Sequence, residues 1–188
     1  MACNLLTKGR GLDCTRSQGG VKNVYFAVRD TTALTISNSE VTDIEMGSNK
    51  IYKYAIERGA ASVTETIVGS TENGTIYYTP SITFQLNKLS KEDQNELKAL
   101  TQSKLIVFAE LYQQMSSTNT HNKILCLGAE NGMRLNSGTD LTGMAWGDRN
   151  GYEWTLDGME VDPMSFVADY TTTPFDNSGF TTGGIVSS

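Results

Sequence analysis

At 188 residues the chain is one domain in length, enough to bury roughly 70% of its unfolded surface without a metal or disulfide staple. A hydrophobic fraction of 38% with 18 glycines and abundant Thr, Ser and Asn fits many short strands joined by turns. The net charge of −6 argues against electrostatic capture of nucleic acid, because a field of that sign repels phosphate backbones.

Residues 1–20 hold Gly, Lys and Arg with little periodicity and end at Gly19-Gly20, which reads as an N-terminal assembly arm. Met1-Ala2-Cys3-Asn4-Leu5-Leu6 has neither the basic start nor the apolar length of a signal peptide, and no window has the run of about 18 apolar residues that spans a membrane. Cys3, Cys14 and Cys126 are an odd set, of which only the first two could pair within the arm; they are expected as reduced thiols, with Cys126 in the core. The main domain is then 21–167.

Residues 21–29 form a first strand with Val24, Phe26 and Val28 on one face; 33–36 is a short strand, 37–49 a loop or weak hairpin, and 51–57 a further strand. Three Asn-Gly pairs mark expected type I′ hairpins, since both central residues need positive φ. Asn73-Gly74 joins 62–70 to a long strand over 75–87. Asn131-Gly132 joins 123–127 to 133–135, and Asn150-Gly151 joins a segment around Met144-Ala145-Trp146 to 152–159.

The long strand alternates without a break. Ile76, Tyr78, Pro80, Ile82, Phe84 and Leu86 take one parity, while Thr75, Tyr77, Thr79, Ser81, Thr83 and Gln85 take the other. One face packs into a core; the polar face, joined by Thr64 and Thr66 of the preceding strand, is a candidate for a lumen or a seam between subunits. A helix over about 90–102 follows, with Ser90 as N-cap, Glu92 and Asp93 in the first turn, and Leu97 and Leu100 as its apolar stripe. Residues 105–109 are nearly all apolar, which predicts a strand buried on both faces; 113–122 is a polar loop. From 168 onward Thr, Ser and Gly dominate, and 168–188 is expected to be mobile or ordered only against a partner, so that removing it should spare the fold.

No catalytic, cofactor-binding or metal-binding residue is assigned. His121, the single histidine, lies in the polar loop and reads as solvated. Cys3 and Cys14 lack Cys or His partners at zinc-site spacing, and Gly9-Arg10-Gly11 is too short to cradle phosphates. Carboxylates such as Glu110, Glu153 and Glu160 are scattered along the chain, which leaves a glycosidase-type pair open but favours solvated strand faces. Tyr77, Tyr78, Trp146, Tyr152 and Trp154 read as core or interface packing before they read as a sugar platform.

Two blocks carry a resemblance. Met-Ala-Cys-Asn-Leu-Leu-Thr-Lys-Gly-Arg with Asp13-Cys14 and Gly19 to Phe26, and the block from Ile124 to Val167 with Leu127-Gly128-Ala129-Glu130-Asn131-Gly132, Gly147-Asp148, Gly151-Tyr152, Gly158, Glu160 and Pro163, resemble tailed-bacteriophage virion proteins, including those of crAss-like and marine phages. The resemblance implies a mainly β, tail-tube-like β-barrel or β-sandwich with one short flanking helix and no enzymatic activity. It implies self-assembly into a ring of the tail tube or tail ring around the DNA-ejection channel, beside further tail rings, adaptor or portal proteins. Genomic DNA would be met only in transit, no membrane would be engaged, and assembly would take place in the bacterial host cytoplasm. The alternative is a small-ligand- or carbohydrate-binding β-barrel or β-sandwich.

Overall fold

A computed structural model describes residues 18–116 and 119–187 together with Gly9. The expected assembly arm over 1–20, with Cys3 and Cys14, falls almost wholly outside the described residues.

The described residues fold into two open sheets, one α-helix and a single 3-10 turn at Arg29–Thr31. In order, the strands are β1 (Val21–Val28), β2 (Ala33–Ser37), β3 (Glu40–Glu45), β4 (Ile51–Ala55), β5 (Ala61–Ser70) and β6 (Thr75–Asn87), then the helix α1 (Lys91–Gln102). After it come β7 (Leu105–Gln114), β8 (Asn122–Leu127), β9 (Arg134–Leu141), β10 (Gly151–Asp157), β11 (Ser165–Val167) and β12 (Ile185–Val186). Eight strands form one sheet in the order β12-β4-β1-β7-β8-β11-β3-β2, and β5-β6-β10-β9 form the other. The result is the sandwich side of the expected fold class; neither sheet closes into a barrel.

Burial follows from the two strand parities of β1 and β7, the central pair of the large sheet. Val24 and Phe26 with Val107 and Ala109 face the small sheet, where they meet Ile82, Phe84, Tyr152, Trp154 and Leu156. Tyr25 and Ala27 with Ile106 and Phe108 face the other way, into a second core with Val41, Ile44, Ile51, Ile124 and Cys126. The all-apolar run at 105–109 is therefore buried on both faces, as its sequence predicts. α1 starts as expected: Ser90 Oγ accepts the Asp93 amide at 3.0 Å, and Leu97 and Leu100 turn toward the first core.

The second core is capped by 168–181, and here the structure differs from the expectation of a mobile or partner-ordered tail. Tyr170 and Phe175 are buried, and Phe175 packs edge-on against Tyr25 and Phe108 with ring centroids 5.3 and 5.0 Å apart. Thr181 then bridges Glu45 beyond β11, while β12 pairs in parallel with β4 at the opposite end of the sheet. The tail thus ties the two ends of the curled sheet together. Composition hid this because the aromatic anchors at 170, 175 and 180 have neither helix nor strand period.

The Asn-Gly turns are corrected in part. Asn73 and Gly74 do end the loop of a β5–β6 hairpin, but the connection is four residues long and only Gly74 has positive φ, so it is not a two-residue type I′ turn. Asn131 and Gly132 join β8 to β9, which lie in different sheets; the turn is a crossing between layers, not a hairpin. Gly151 begins β10, and its hairpin partner is β9, not the 144–146 segment. Any side chain at Gly151 would collide with the Leu86 carbonyl oxygen, which is why glycine sits where β10 meets β6. Segment 37–49 contains a true strand, β3, with Val41 and Ile44 fully buried. A register shift against β2 between Thr35 and Ile36 breaks the simple alternation that would have revealed it.

One buried polar cluster pins the second core. Glu110 lies in β7, and its carboxylate accepts from the Asn23 amide at 2.6 Å and the Tyr25 hydroxyl at 2.7 Å, with Lys22 Nζ at 3.1 Å. Burial, and secondarily the Glu110 charge, pushes the Tyr25 phenol far above its ordinary range, so it stays a donor. Replacing Glu110 by Leu strands two buried donors and is expected to destabilise the fold by about 3 kcal/mol, while Glu110→Gln, which still accepts, loses much less. Urea unfolding of both variants checks this; equal losses would show that the charge, not the acceptor, matters. Lys22 is half-exposed and adds little.

Candidate functional site

The structure brings the sequence-predicted polar residues together and extends them. Thr64, Thr66, Thr75, Tyr77, Thr79, Ser81, Thr83 and Gln85 share the outer face of the small sheet, opposite the first core. Ser81 pairs with Thr64, Thr79 with Thr66, and Thr83 with Ser62 on β5. On the other side of β6, β10 adds Glu153 beside Gln85, Thr155 beside Thr83 and Asp157 beside Ser81. β9 then adds Thr139 and Ser137, so hydroxyls and amides run across four strands. The β10 and β9 members are not assigned to this face from the sequence, where Glu153 reads only as one of the scattered carboxylates. Register could have supplied them, since pairing β6 with β10 fixes which residues share the face.

Hydrogen bonds between strands hold these side chains in place. Thr83 Oγ1 and Thr155 Oγ1 are 2.9 Å apart, and Gln85 Nε2 donates to Glu153 Oε2 at 3.0 Å. Glu153 also takes Arg149 at 2.7 Å, Asn136 donates to Asp157, and Arg134 stands opposite Asp157. The cations at this face are thus set beside carboxylates, and the surface as a whole is hydroxyl-rich and close to neutral. Toward the β5–β6 turn the hairpin changes character: Ile67 and Ile76 are exposed, as are Met159 and Val161, which flank Glu160 where it bridges Tyr78.

The other sequence candidates are placed as follows. Asn73, Gly74, Asn131, Gly132, Asn150 and Gly151 serve turns and sheet crossings, and Ser90 caps α1. His121, expected as solvated, is half-buried: its ring leans on Tyr170 with centroids 5.0 Å apart, and Nε2 lies 2.9 Å from the Thr171 carbonyl oxygen. Among the described residues Glu110 and Glu160 are the buried carboxylates, and Glu160 accepts the backbone amides of Glu130 and Asn131 at 2.9 and 3.0 Å. Tyr152 and Trp154 are core residues, whereas Trp146 stands fully exposed on the loop between β9 and β10. Burial raises the Cys126 thiol far above its usual range. Among the described residues no group of three His, Cys, Asp or Glu side chains is arranged to hold a metal ion, and no helix is long and apolar enough to cross a membrane.

No family model and no curated protein matches the chain. Among solved structures, a chain of the six-fold symmetrised cryo-EM structure of the anti-feeding prophage baseplate is similar to it, at 12% identity, with 82% of this chain and 97% of that chain covered. The TM-score is 0.40, too low to carry an argument.

Proposed function

We propose that the protein is a non-enzymatic virion structural subunit that self-assembles into a ring of a phage tail, with the hydroxyl-rich face of its small sheet turned to the DNA-ejection channel or to the seam between subunits. The observation that carries this reading is that face: four strands of aligned Thr, Ser and Gln with carboxylate-matched cations. DNA must pass a channel wall without being held by it. A wall of neutral hydroxyls forgoes the counterion release that makes basic surfaces grip phosphate, yet stays wet. The resemblance of the sequence to tailed-phage virion proteins points the same way, and with it come neighbouring tail rings, adaptor or portal proteins as partners. In this reading the protein takes no cofactor and meets genomic DNA only in transit.

The packing of the large sheet weighs against the ligand-barrel reading. Its concave side, where a ligand-binding barrel keeps its cavity, is filled by Tyr25, Phe108 and Phe175. Mass photometry and electron microscopy of the purified protein over a range of concentrations are expected to show a discrete ring. A 20.5 kDa monomer throughout, even with tail partners added, would end the assembly reading.

A further inference from the structure

Three groups that carry acyl-transfer chemistry meet where β1, β7 and β8 lie side by side in the large sheet. Lys22 Nζ is 3.1 Å from Glu110 Oε1 and donates to Asn122 Oδ1 at 3.0 Å. The amine is therefore no more than about 4.2 Å from Asn122 Cγ, because the C=O bond adds at most about 1.2 Å. Glu110 is the buried member, its side chain only 3% exposed, whereas Lys22 is half-exposed. Asn23 Nδ2 and the Tyr25 hydroxyl both donate to Oε2 of Glu110, which fixes the carboxylate and leaves Oε1 turned to Lys22. A nucleophile within hydrogen-bond reach of a base, with the base oriented by further groups, is the arrangement that activates an amine for attack on a carbonyl.

The backbone leaves regular pairing on both sides of Glu110 at this meeting. Val21 pairs with Leu111 but Asn23 with Glu110, so Lys22 is an extra residue in β1, and a bulge of this kind re-aims a side chain. Between β7 and β8 the register steps from Glu110–Ile124 to Gln114–Asn122, four residues on one strand against two on the other. β7 stands between β1 and β8, whose backbones are thus about 10 Å apart, a gap that the long lysine side chain crosses over Glu110.

We propose that Lys22 and Asn122 join in an intramolecular isopeptide bond, with Glu110 carrying the proton. Glu110 Oε1 takes a proton from the Lys22 ammonium, and the freed lone pair on Nζ attacks Asn122 Cγ. The Cγ–Nδ2 bond then breaks. Two of the three ammonium protons, one of them relayed by Glu110, leave with Nδ2 as an ammonium ion. The third stays on the new amide nitrogen, and Glu110 ends as the carboxylate it began as. No oxidant is consumed, in contrast with a disulfide. The step occurs once per chain without turnover, so it fits a structural subunit and does not depend on what that subunit assembles into. Its product is a covalent tie between residues 100 apart in sequence, and a crosslink that closes so long a loop stabilises by restricting the unfolded chain.

Mass spectrometry of the purified full chain tests it. The wild type is expected to be lighter than its sequence by about 17 Da, the mass of one ammonia. Asn-Gly sites such as Asn73-Gly74 lose the same mass on cyclising, so the decisive product is tryptic peptide 17–29 joined to 105–123. Lys22→Arg and Asn122→Ala should give no joined peptide and should melt about 10–20 °C lower, the loss expected when a loop of 100 residues is no longer closed. Glu110→Gln still accepts from Asn23 and Tyr25 but relays no proton, and it should slow bond formation at least about 100-fold. The unfolding comparison of Glu110→Leu with Glu110→Gln is then made in the Lys22→Arg background, where no bond forms and only the acceptor differs. Folded wild type that yields no joined peptide after prolonged incubation would overturn the bond. A joined peptide formed by Glu110→Gln at the wild-type rate would overturn the relay. If Glu110→Gln fails to fold, the wild type against Lys22→Arg decides.

Discussion

Deleting 170–188 is expected to abolish cooperative folding of the isolated subunit, and Phe175→Ala alone to cost about 3–5 kcal/mol. The ring of Phe175 fills the concave side of the large sheet between Tyr25 and Phe108, so its loss leaves a cavity that packed strands cannot close. For a domain of this size that destabilisation lowers the melting temperature by roughly 6–20 °C. Truncation does more, because it also removes the Thr181 bridge to Glu45 and the β12 pairing with β4. Circular dichroism melts of the two variants check the claim; a truncated chain melting within about 2 °C of the full one would show that the tail is dispensable to the fold.

The same segment makes an acid-sensitive element. Asp176 accepts the amides of Thr173, Thr171 and Thr172 at 2.9, 3.0 and 2.8 Å, and these bonds hold its carboxyl down to about 2. A depressed carboxylate contributes stability that is fully present above its unfolded value of about 4 and is lost as pH falls through about 2. The wild type should therefore lose melting temperature between about pH 4 and 2 more steeply than Asp176→Asn, which has no charge to lose there. Parallel curves for the two would remove the turn from any role in acid stability.

What was legible in the sequence was whatever a regular period wrote into it. β6 alternates over its whole length, β7 opens on the apolar run 105–109, and α1 carries its cap and stripe, so all three stand where the residues put them, although β7 runs on to Gln114, into the expected polar loop. The polar face of β6 was readable for the same reason, down to the individual threonines. What was not legible depends on tertiary placement. β3 was lost to a bulge, and the β8–β9 turn could not announce that its two strands belong to different layers. The C-terminal tail looked free because Tyr170 and Phe175 act as isolated anchors, whose burial is decided by the sheet waiting for them. The full exposure of Trp146 is likewise invisible in sequence, since exposure of an aromatic residue has no periodic signature.

If the polar face lines the DNA channel, as proposed, replacing Thr83 and Gln85 with lysine is expected to make that wall grip DNA. Both side chains lie at the middle of the polar face, Thr83 against Thr155 and Gln85 against Glu153, and both are half-buried among neighbours that lysine can extend past to reach water. In a ring the two added charges recur once per subunit, and each phosphate they neutralise releases a counterion, so binding falls steeply with salt. Reconstituted particles carrying the lysine pair should then assemble normally, eject DNA slowly at low salt and recover at high salt. The matched pair Thr83→Glu and Gln85→Glu controls for bulk: it repels phosphate and should eject as the wild type does. If the face is instead a seam between subunits, both pairs should block ring closure, because unmatched like charges would be buried on every copy. Normal assembly and wild-type ejection of the lysine pair at both salts would put the face in open solvent and remove the channel-wall role.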